Sequence, residues 1–250
     1  MRTVFISDLH LTEKRPDITQ ALFSFIEREC INSDTPTSAL YILGDFFEAW
    51  IGDDCSTPLA EEVKAHLKTL TDAGIELYIM HGNRDFLIGQ SFCNDIGAQL
   101  IKDGTIIHIN EKPVILMHGD TLCTQDVQYL AFREIVRNPS WQHDFLSKPI
   151  SERLNIAQEL RQKSQESAAD KSEYIMDVDQ RAVEEALATS RCNILIHGHT
   201  HRPAVHPLTN LEGGCRYVLG DWDKYGWMIV ANDANIKLSK FQIAPDETLP

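Results

Sequence analysis

The chain has 250 residues, 43% hydrophobic and 24% charged, so it can bury a core of ordinary size as one α/β domain with an insertion. Its formal net charge of −14 argues against a nucleic-acid binder, which needs a basic face to offset phosphate charge. We see no leader peptide and no apolar stretch near the ~20 residues of a membrane span, so we expect a cytoplasmic protein. Six scattered cysteines without C-x-x-C spacing favour small buried side chains over disulfides.

Short apolar runs alternate with amphipathic segments over the first 120 residues. In chain order they predict a strand at 3–6, a helix at 18–30, a strand at 39–43, a helix at 59–70, and strands at 75–80 and 114–117. The β-α-β-α-β order implies right-handed crossovers and a mostly parallel sheet.

The pattern turns helical from Gln125 to Ser190, and Pro139 and Pro149 divide this stretch into pieces. It is too long to be an ordinary connection between two core elements. Strand patterns then return at 193–196 and near residues 217, 228 and 241. We therefore expect a core made of 1–124 and 191–250, interrupted by a helical insertion at 125–190.

Five of the predicted strands are followed directly by polar clusters. In chain order the clusters are Asp8-Leu9-His10, Gly44-Asp45, Gly82-Asn83-Arg84-Asp85, His118-Gly119-Asp120 and His197-Gly198-His199. The site of an open α/β sheet lies outside the carboxyl ends of its strands, so these clusters are expected to converge. The adjacent glycines allow sharp turns into one cavity.

The clusters contain seven candidate metal ligands: Asp8, His10, Asp45, Asn83, His118, His197 and His199. Mixed oxygen and imidazole ligands suit Mn²⁺, Fe²⁺ or Zn²⁺. Seven exceed what one ion accepts from protein while leaving room for substrate, so we expect two ions, roughly 3.5–4 Å apart and sharing a carboxylate. A single strand-end histidine is usually structural, but five clusters at successive strand ends indicate a metal centre.

The order D-x-H, G-D, G-N, H-G-D, G-H-x-H resembles the calcineurin-like metallophosphoesterase family over essentially the whole core. The resemblance implies a four-layer α/β/β/α fold, a β-sandwich flanked by helices. It also implies a division of the ligands: Asp8, His10 and His199 on one ion, Asn83, His118 and His197 on the other, and Asp45 bridging both. Asp45, Asn83, Arg84 and His118 would be the catalytic residues.

Arg84 stands where most members of this family have a histidine that protonates the leaving group. An arginine cannot usefully give up a proton. The lack of a proton donor matters little if the leaving group is a phosphate monoester, because the second pKa of such a group is about 6. The substrate is therefore expected to contain a phosphoanhydride, with the planar fork of Arg84 clamping a phosphate.

Further stretches are similar to the pyrophosphohydrolases of lipid A biosynthesis within that family. They are residues 44–54, 82–87, 118–124 and 197–203, and the insertion segment from Arg161 to Lys171. This resemblance implies hydrolysis of UDP-2,3-diacylglucosamine to UMP and 2,3-diacylglucosamine 1-phosphate, with water activated by two Mn²⁺ attacking the uridine-side phosphorus. It also implies peripheral association with the cytoplasmic side of the inner membrane, and no obligate protein partner.

Substrate contacts implied by the resemblance fall on Asn83, Arg84, Asp126, Ser164, Lys171 and His197. Ala168 stands where the family often has asparagine, so this chain lacks the side-chain amide for that contact. Residues 133–171 carry seven basic and six acidic side chains, a balance that suits an anionic lipid or membrane surface. The alternative is that aromatic residues such as Phe132 and Trp141 simply pack the insertion onto the core.

Two other functions fit the same scaffold. One is a nucleotide phosphodiesterase or phosphoprotein phosphatase, which would usually keep the histidine that Arg84 replaces. The other is an interaction scaffold without metals, in which several ligand positions should be replaced, whereas all seven are filled here.

Overall fold

The computed structural model describes residues 2–169, 177–209 and 211–243, with the backbone alone for 163–169. The described strands are β1 (Arg2–Ile6), β2 (Thr37–Leu43), β3 (Glu76–Met80), β4 (Ala98–Ile101), β5 (Thr105–Ile109), β6 (Lys112–Leu116), β7 (Ile194–His197), β8 (Ala204–Leu208), β9 (Gly214–Val218), β10 (Tyr225–Ala231) and β11 (Ile236–Gln242). The helices are α1 (Pro16–Phe25), which continues into a π-helical segment at Ile26–Ile31, α2 (Pro58–Asp72), α3 (Gln90–Ile96), α4 (Val127–Val136), α5 (Pro139–Leu146), α6 (Ile150–Ala169) and α7 (Gln180–Ser190).

The first sheet has the strand order β11-β10-β1-β2-β3-β4. Strands β1 to β4 run parallel, whereas β10 lies antiparallel to both β1 and β11. Helices α1, α2 and α3 connect the four parallel strands in sequence, which confirms the predicted β-α-β-α-β order. The carboxyl ends of β1, β2 and β3 therefore share one edge of the molecule.

The second sheet has the order β5-β6-β7-β9-β8. Its three central strands run parallel, and β5 and β8 are antiparallel strands at the two edges. The carboxyl ends of β6 and β7 are neighbours in this sheet. The polar clusters that follow these two strands are thus brought together by strand pairing alone.

The two sheets pack face to face, and side chains alternate between the layers. Phe5 of β1 is buried with Leu116 and Ile196 of the second sheet, whereas its neighbours Val4 and Ile6 pack with residues of α1 and α2 on the outer face. This alternation follows from the two-residue period of a strand. Strands covered on both faces carry continuous apolar runs, and β1, β2 and β3 each contain one that predicts the strand.

Helix α7 covers the outer face of the second sheet. Its residues Val183 and Leu187 pack with Ile115 of β6 and Leu195 of β7. Helices α1 to α3 cover the outer face of the first sheet. The layers are therefore α/β/β/α, and the expected four-layer fold is confirmed.

Helices α4, α5 and α6 form a cap beside the core, within the segment predicted to be helical. Arg153 of α6 is 2% exposed, and its guanidinium lies 2.7 Å from Asp54 Oδ1 and donates to the Ile51 carbonyl at 2.6 Å. These contacts fix α6 to the loop that follows β2. No helix among residues 2–169, 177–209 and 211–243 has the length and apolarity to cross a membrane.

The sequence patterns missed α3, β4, β5 and β8. Strands β5 and β8 lie at sheet edges, where alternating exposure leaves no continuous apolar run. Pro207 within β8 is tolerated because an edge strand need not donate every backbone hydrogen bond. The six cysteines all lie within the described residues and form no disulfide; four are buried, and Cys55 and Cys215 are half-buried.

Candidate metal centre

The polar clusters that follow β1, β2, β3, β6 and β7 converge on one region of the structure. Backbone hydrogen bonds join them: Asp8 N–H donates to the Gly44 carbonyl at 3.0 Å, and Arg84 N–H donates to Asp45 Oδ1 at 2.8 Å. The His199 N–H donates to the Asp8 carboxylate at 3.0 Å, which joins the second sheet to the first. The predicted convergence is therefore observed.

Asp45 lies between imidazoles that the sequence analysis assigned to different ions. Its Oδ2 is 3.8 Å from His10 Nε2, and its Oδ1 is 3.7 Å from His118 Nε2. This position suits the bridging role expected for Asp45. Asp8 lies beside both imidazoles, since the ligand atoms of Asp8, Asp45 and His118 form one group within 4.8 Å and those of Asp8, His10 and His201 form a second.

Asn83 brings together two further candidate ligands. Its Oδ1 lies 2.9 Å from His118 Nε2 and 2.9 Å from His199 Nδ1. The other ring nitrogen of His118 lies 2.8 Å from the Leu43 carbonyl. A carbonyl can only accept, so this contact places a hydrogen on Nδ1 and leaves Nε2 facing Asn83 and Asp45.

His197 is fully buried next to the cluster, and its observed contacts differ from those of the other ligands. Its Nδ1 lies 2.9 Å from the Gly198 carbonyl, and its Nε2 lies 3.2 Å from the Arg216 guanidinium. Within the described parts of the chain, neither group of mutually close ligand atoms contains His197 or His199. The assignment of His197 to the ion of Asn83 and His118 stays a prediction.

Burial and neighbouring charges shift the pKa values of the cluster. Burial lowers the pKa of His197 to about 3, with the charge of Arg216 adding to the effect, and burial together with the charge of His118 lowers that of His199 to about 4. Burial also opposes the charged form of His118, but the carboxylates of Asp45 and Asp8 outweigh it and raise its pKa to about 9. Burial raises the pKa of Asp45.

The donor set fits divalent metal ions. Two carboxylates, Asp8 and Asp45, are buried within a few ångströms of each other and of imidazole nitrogens. Buried carboxylates repel each other unless a positive charge is shared between them. The lowered pKa values of His197 and His199 favour the neutral imidazole that a metal ligand requires. Oxygen and imidazole donors without thiolate fit Mn²⁺, Fe²⁺ or Zn²⁺.

Backbone strain is concentrated at this cluster. Eight non-glycine residues in the described structure have positive φ, and five of them lie at the site: Asp8, His10, Asp45, His199 and His201. Each such residue costs of order 1–3 kcal/mol and persists only where surrounding contacts enforce it. The loops thus hold ligand side chains in positions that relaxed strand ends would not give.

Two glycines of the motifs are required by both space and conformation. Gly44 has φ +90°, and a Cβ there would lie 2.6 Å from His118 Nδ1; Gly119 has φ +119°, and its Cβ would lie 2.8 Å from His197 Nδ1. A side chain at either position would displace a candidate ligand. The prediction that these glycines turn the backbone into the site is confirmed.

A cavity of about 920 Å³ opens beside the cluster and extends beneath the cap. Asn83, Arg84 and His199 line its polar end. Arg84 Nε is buried, and within the described structure it has no hydrogen-bond acceptor. An anionic group of a ligand would satisfy this donor.

Of the remaining predicted substrate contacts, Asp126 lines the cavity and also caps α4, accepting from Tyr129 N–H at 3.1 Å. His197 lies behind the cavity wall, among the buried residues. The Ser164 side chain and Lys171 lie outside the described residues, so their predicted roles stay predictions.

Two side chains of the motifs lie at the site although the sequence patterns did not include them among the metal ligands. Asp85 is fully buried and accepts from the N–H groups of Phe46 and Gly82, both at 2.7 Å, which braces two of the loops. His201 Nε2 lies 3.6 Å from Asp8 Oδ1 and 3.3 Å from His10 Nε2. Both residues sit inside the motifs, two positions beyond the candidate ligands Asn83 and His199, and that proximity was the available signal.

Fold and site together define a metal-dependent hydrolase of phosphate esters or anhydrides. The chain belongs to the calcineurin-like phosphoesterase family, whose model matches residues 1–203. Among curated relatives, the UDP-2,3-diacylglucosamine hydrolase of Cellvibrio japonicus (strain Ueda107) is 48% identical over 245 residues, covering 97% of this chain and 100% of the relative. The protein of the same name from Marinobacter nauticus (strain ATCC 700491 / DSM 11845 / VT8) is 48% identical and covers 93% and 94%. That from Pseudomonas fluorescens (strain SBW25) is 44% identical and covers 99% and 98%.

Proposed function

We propose that this chain hydrolyses the pyrophosphate bond of UDP-2,3-diacylglucosamine, giving UMP and 2,3-diacylglucosamine 1-phosphate for lipid A biosynthesis. The names of relatives at 43–48% identity over nearly the whole chain support this substrate. The observation that carries the proposal is the cavity of about 920 Å³, which joins a cluster of metal ligands to an apolar chamber. One cavity can therefore take both the charged and the acyl parts of such a lipid.

The apolar end of the cavity is made jointly by the loops of the core and by the cap. Phe47 and Trp50 contribute from the loop after β2, and Phe132, Trp141 and Phe145 contribute from α4 and α5. Trp141 and Phe145 stack with ring centroids 5.0 Å apart. These side chains pack the cap onto the core and also offer apolar surface to an acyl chain, so the two roles weighed from the sequence are compatible.

The reaction forms one bond between water oxygen and the uridine-side phosphorus, and it breaks the bond from that phosphorus to the bridging oxygen. When bound, a pair of divalent cations activates the water and neutralises charge on the phosphoryl oxygens. We assign Asp8, His10 and His199 to one cation, Asn83, His118 and His197 to the other, and Asp45 to both. The leaving phosphate monoester needs no proton from the protein.

Arg84 orients the pyrophosphate in this account. Its backbone is fixed by the hydrogen bond from its N–H to Asp45, so the guanidinium starts from a defined point beside the ligands. The side chain is 29% exposed and borders the cavity. A planar guanidinium can bind two phosphate oxygens at once, which holds phosphorus in line with the attacking water.

We also propose Mn²⁺ as the native metal and peripheral association with the cytoplasmic side of the inner membrane. Apolar side chains exposed on the cap support the membrane assignment: Leu146 is 39% exposed, Ile150 38% and Leu154 44%. They lie at the end of α5 and the start of α6, and Leu154 also borders the cavity. A lipid substrate could therefore enter from a membrane on which this surface rests.

The test compares two substrates with the Mn²⁺-loaded protein: UDP-2,3-diacylglucosamine in detergent micelles and bis(p-nitrophenyl) phosphate. We expect kcat/KM to favour the lipid by several orders of magnitude. Preference for the nitrophenyl diester by a similar margin would overturn the substrate assignment and favour a nucleotide phosphodiesterase.

A further inference from the structure

Glu48 lies in the loop after β2, between the metal centre and the cavity, with its side chain 17% exposed. Its two carboxylate oxygens face different partners. Oε2 lies 3.1 Å from His10 Nδ1. Oε1 contacts the Arg161 guanidinium and lies 4.0 Å from Arg84 NH1.

The contact with His10 bears on how that ring binds a cation. His10 Nε2 points into the cluster, 3.8 Å from Asp45 Oδ2, and to ligate a cation it would have to carry the lone pair, with the hydrogen on Nδ1. An ionised carboxylate can only accept a hydrogen, and the Glu48 carboxylate faces Nδ1 at 3.1 Å, although the angle at Nδ1 does not meet that of a formed hydrogen bond. Glu48 therefore favours the tautomer and ring orientation that a metal ligand needs.

The contacts with the arginines bear on the cavity. Arg84 belongs to the core and Arg161 to α6 of the cap, and both line the cavity. Two guanidinium groups on one wall repel each other unless an anion lies between them. The Glu48 carboxylate takes that place and connects the cap to the metal centre through one side chain.

We propose that Glu48 is a positioning residue: one carboxylate oxygen orients His10 toward the metal ions, and the other holds Arg84 and Arg161 toward the phosphates of the substrate. The second half of this inference rests on the proposed function, because it needs a phosphate-containing substrate in the cavity. The first half needs only a divalent cation at the cluster.

The experiment uses Glu48→Ala and Glu48→Gln, with Glu62→Gln as a matched control, since Glu62 is an exposed glutamate on α2. Mn²⁺ affinity is measured by calorimetry on the substrate-free protein, and KM and kcat are measured for the lipid at saturating Mn²⁺. For Glu48→Ala we expect Mn²⁺ affinity to fall roughly 10–100-fold, as is typical when a carboxylate behind a ligating histidine is removed. KM should also rise about tenfold, and the control should match wild type in both.

Arg161→Met separates the two halves, because it removes one partner of Oε1 and leaves the contact with His10. It should raise KM and leave Mn²⁺ affinity within about twofold of wild type. Glu48→Gln keeps the size of the side chain but has one oxygen, which cannot serve His10 and the arginines together. It should therefore shift Mn²⁺ affinity or KM at least threefold, even if the alanine variant does not fold.

Wild-type Mn²⁺ affinity in both folded Glu48 variants would overturn the role toward His10. Unchanged KM in both would overturn the role toward the arginines. Failure of the wild-type protein to hydrolyse the lipid would overturn the proposed function, and with it the role of Glu48 toward Arg84 and Arg161. The calorimetric comparison of Mn²⁺ affinity would still decide the role of Glu48 toward His10.

Discussion

The metal centre and the cap are constructed in different ways. Asp8, His118 and His197 have no exposed surface, and they are held by loops that both sheets fix in place. The cap leaves large apolar side chains open to solvent, with Val127 69% exposed and Ile135 58% exposed. The centre is thus built for fixed geometry, and the cap provides surface that can be adapted to a substrate.

Polar contacts join the two regions. Arg133 of α4 lies 2.7 Å from the buried Asp120 carboxylate, and Arg137 of α4 donates to the Gly82 carbonyl at 2.7 Å. Asp120 and Gly82 belong to the motifs that carry His118 and Asn83. The comparison predicts that substitutions in the centre remove the chemistry, whereas substitutions in the cap change the preference among substrates.

The largest effect is expected for Asp45→Ala. This change removes a buried carboxylate that faces His10 and His118, so kcat should fall by more than roughly 10³-fold. Steady-state turnover of the lipid measures the loss, and circular dichroism checks the fold. His66→Ala is the control, because His66 stacks on Phe23 in α1 and should keep nearly full activity. Equal turnover of wild type and the Asp45 variant would refute the bridging role.

A smaller loss is expected for Arg84→Lys. Lysine keeps the positive charge but lacks the planar fork that binds two phosphate oxygens. We expect kcat/KM for the lipid to fall roughly 10–100-fold, the range for a hydrogen bond to a charged group. Arg181→Lys, at an exposed position on α7, should leave kcat/KM unchanged. If Arg84→Lys keeps the wild-type kcat/KM, positive charge alone is sufficient at this position. The proposal that Arg84 binds two phosphate oxygens at once would then be wrong.

Trp141→Ala tests the apolar end of the cavity. We expect KM for the lipid to rise about tenfold, equivalent to about 1.4 kcal/mol, because Trp141 lines the chamber and stacks on Phe145. Turnover of bis(p-nitrophenyl) phosphate should be unaffected, since that molecule has no acyl chain. Ile135→Ala removes exposed apolar surface elsewhere on the cap and should match wild type with micellar substrate. An equal loss of activity toward both substrates would show that Trp141 stabilises the metal centre and does not select the lipid.

The smallest effect concerns Asp54, which pairs with the buried Arg153 and is itself 61% exposed. The hydrogen bond from Arg153 lowers the pKa of Asp54, so the stabilising contribution is present at pH 7 and fades as pH falls below about 4. Asp54→Asn should lower the free energy of unfolding by less than about 1 kcal/mol at pH 7, and this difference should shrink at pH 3. Urea denaturation at both pH values measures it, with Asp144→Asn as an exposed control. A difference that does not change with pH would show that the charge of Asp54 is not its cause.

Most of the core and of the metal centre could be predicted from the sequence, because short stretches of neighbouring residues determine both. Strands β1 to β3 each contain a continuous apolar run, and each candidate ligand sits in a short motif at the end of a strand. Edge strand β5 shows only partial burial and has no such signature. The contact between Glu48 and Arg161 joins segments far apart in the chain, and nothing in either segment indicates the other.

The most direct test of the whole account is hydrolysis of UDP-2,3-diacylglucosamine in ¹⁸O-water, with both products analysed by mass spectrometry. We predict one ¹⁸O atom in UMP and none in 2,3-diacylglucosamine 1-phosphate, because water attacks the uridine-side phosphorus. Label in the lipid phosphate would contradict the direction of attack, and absence of any turnover by the Mn²⁺-loaded protein would contradict the function itself.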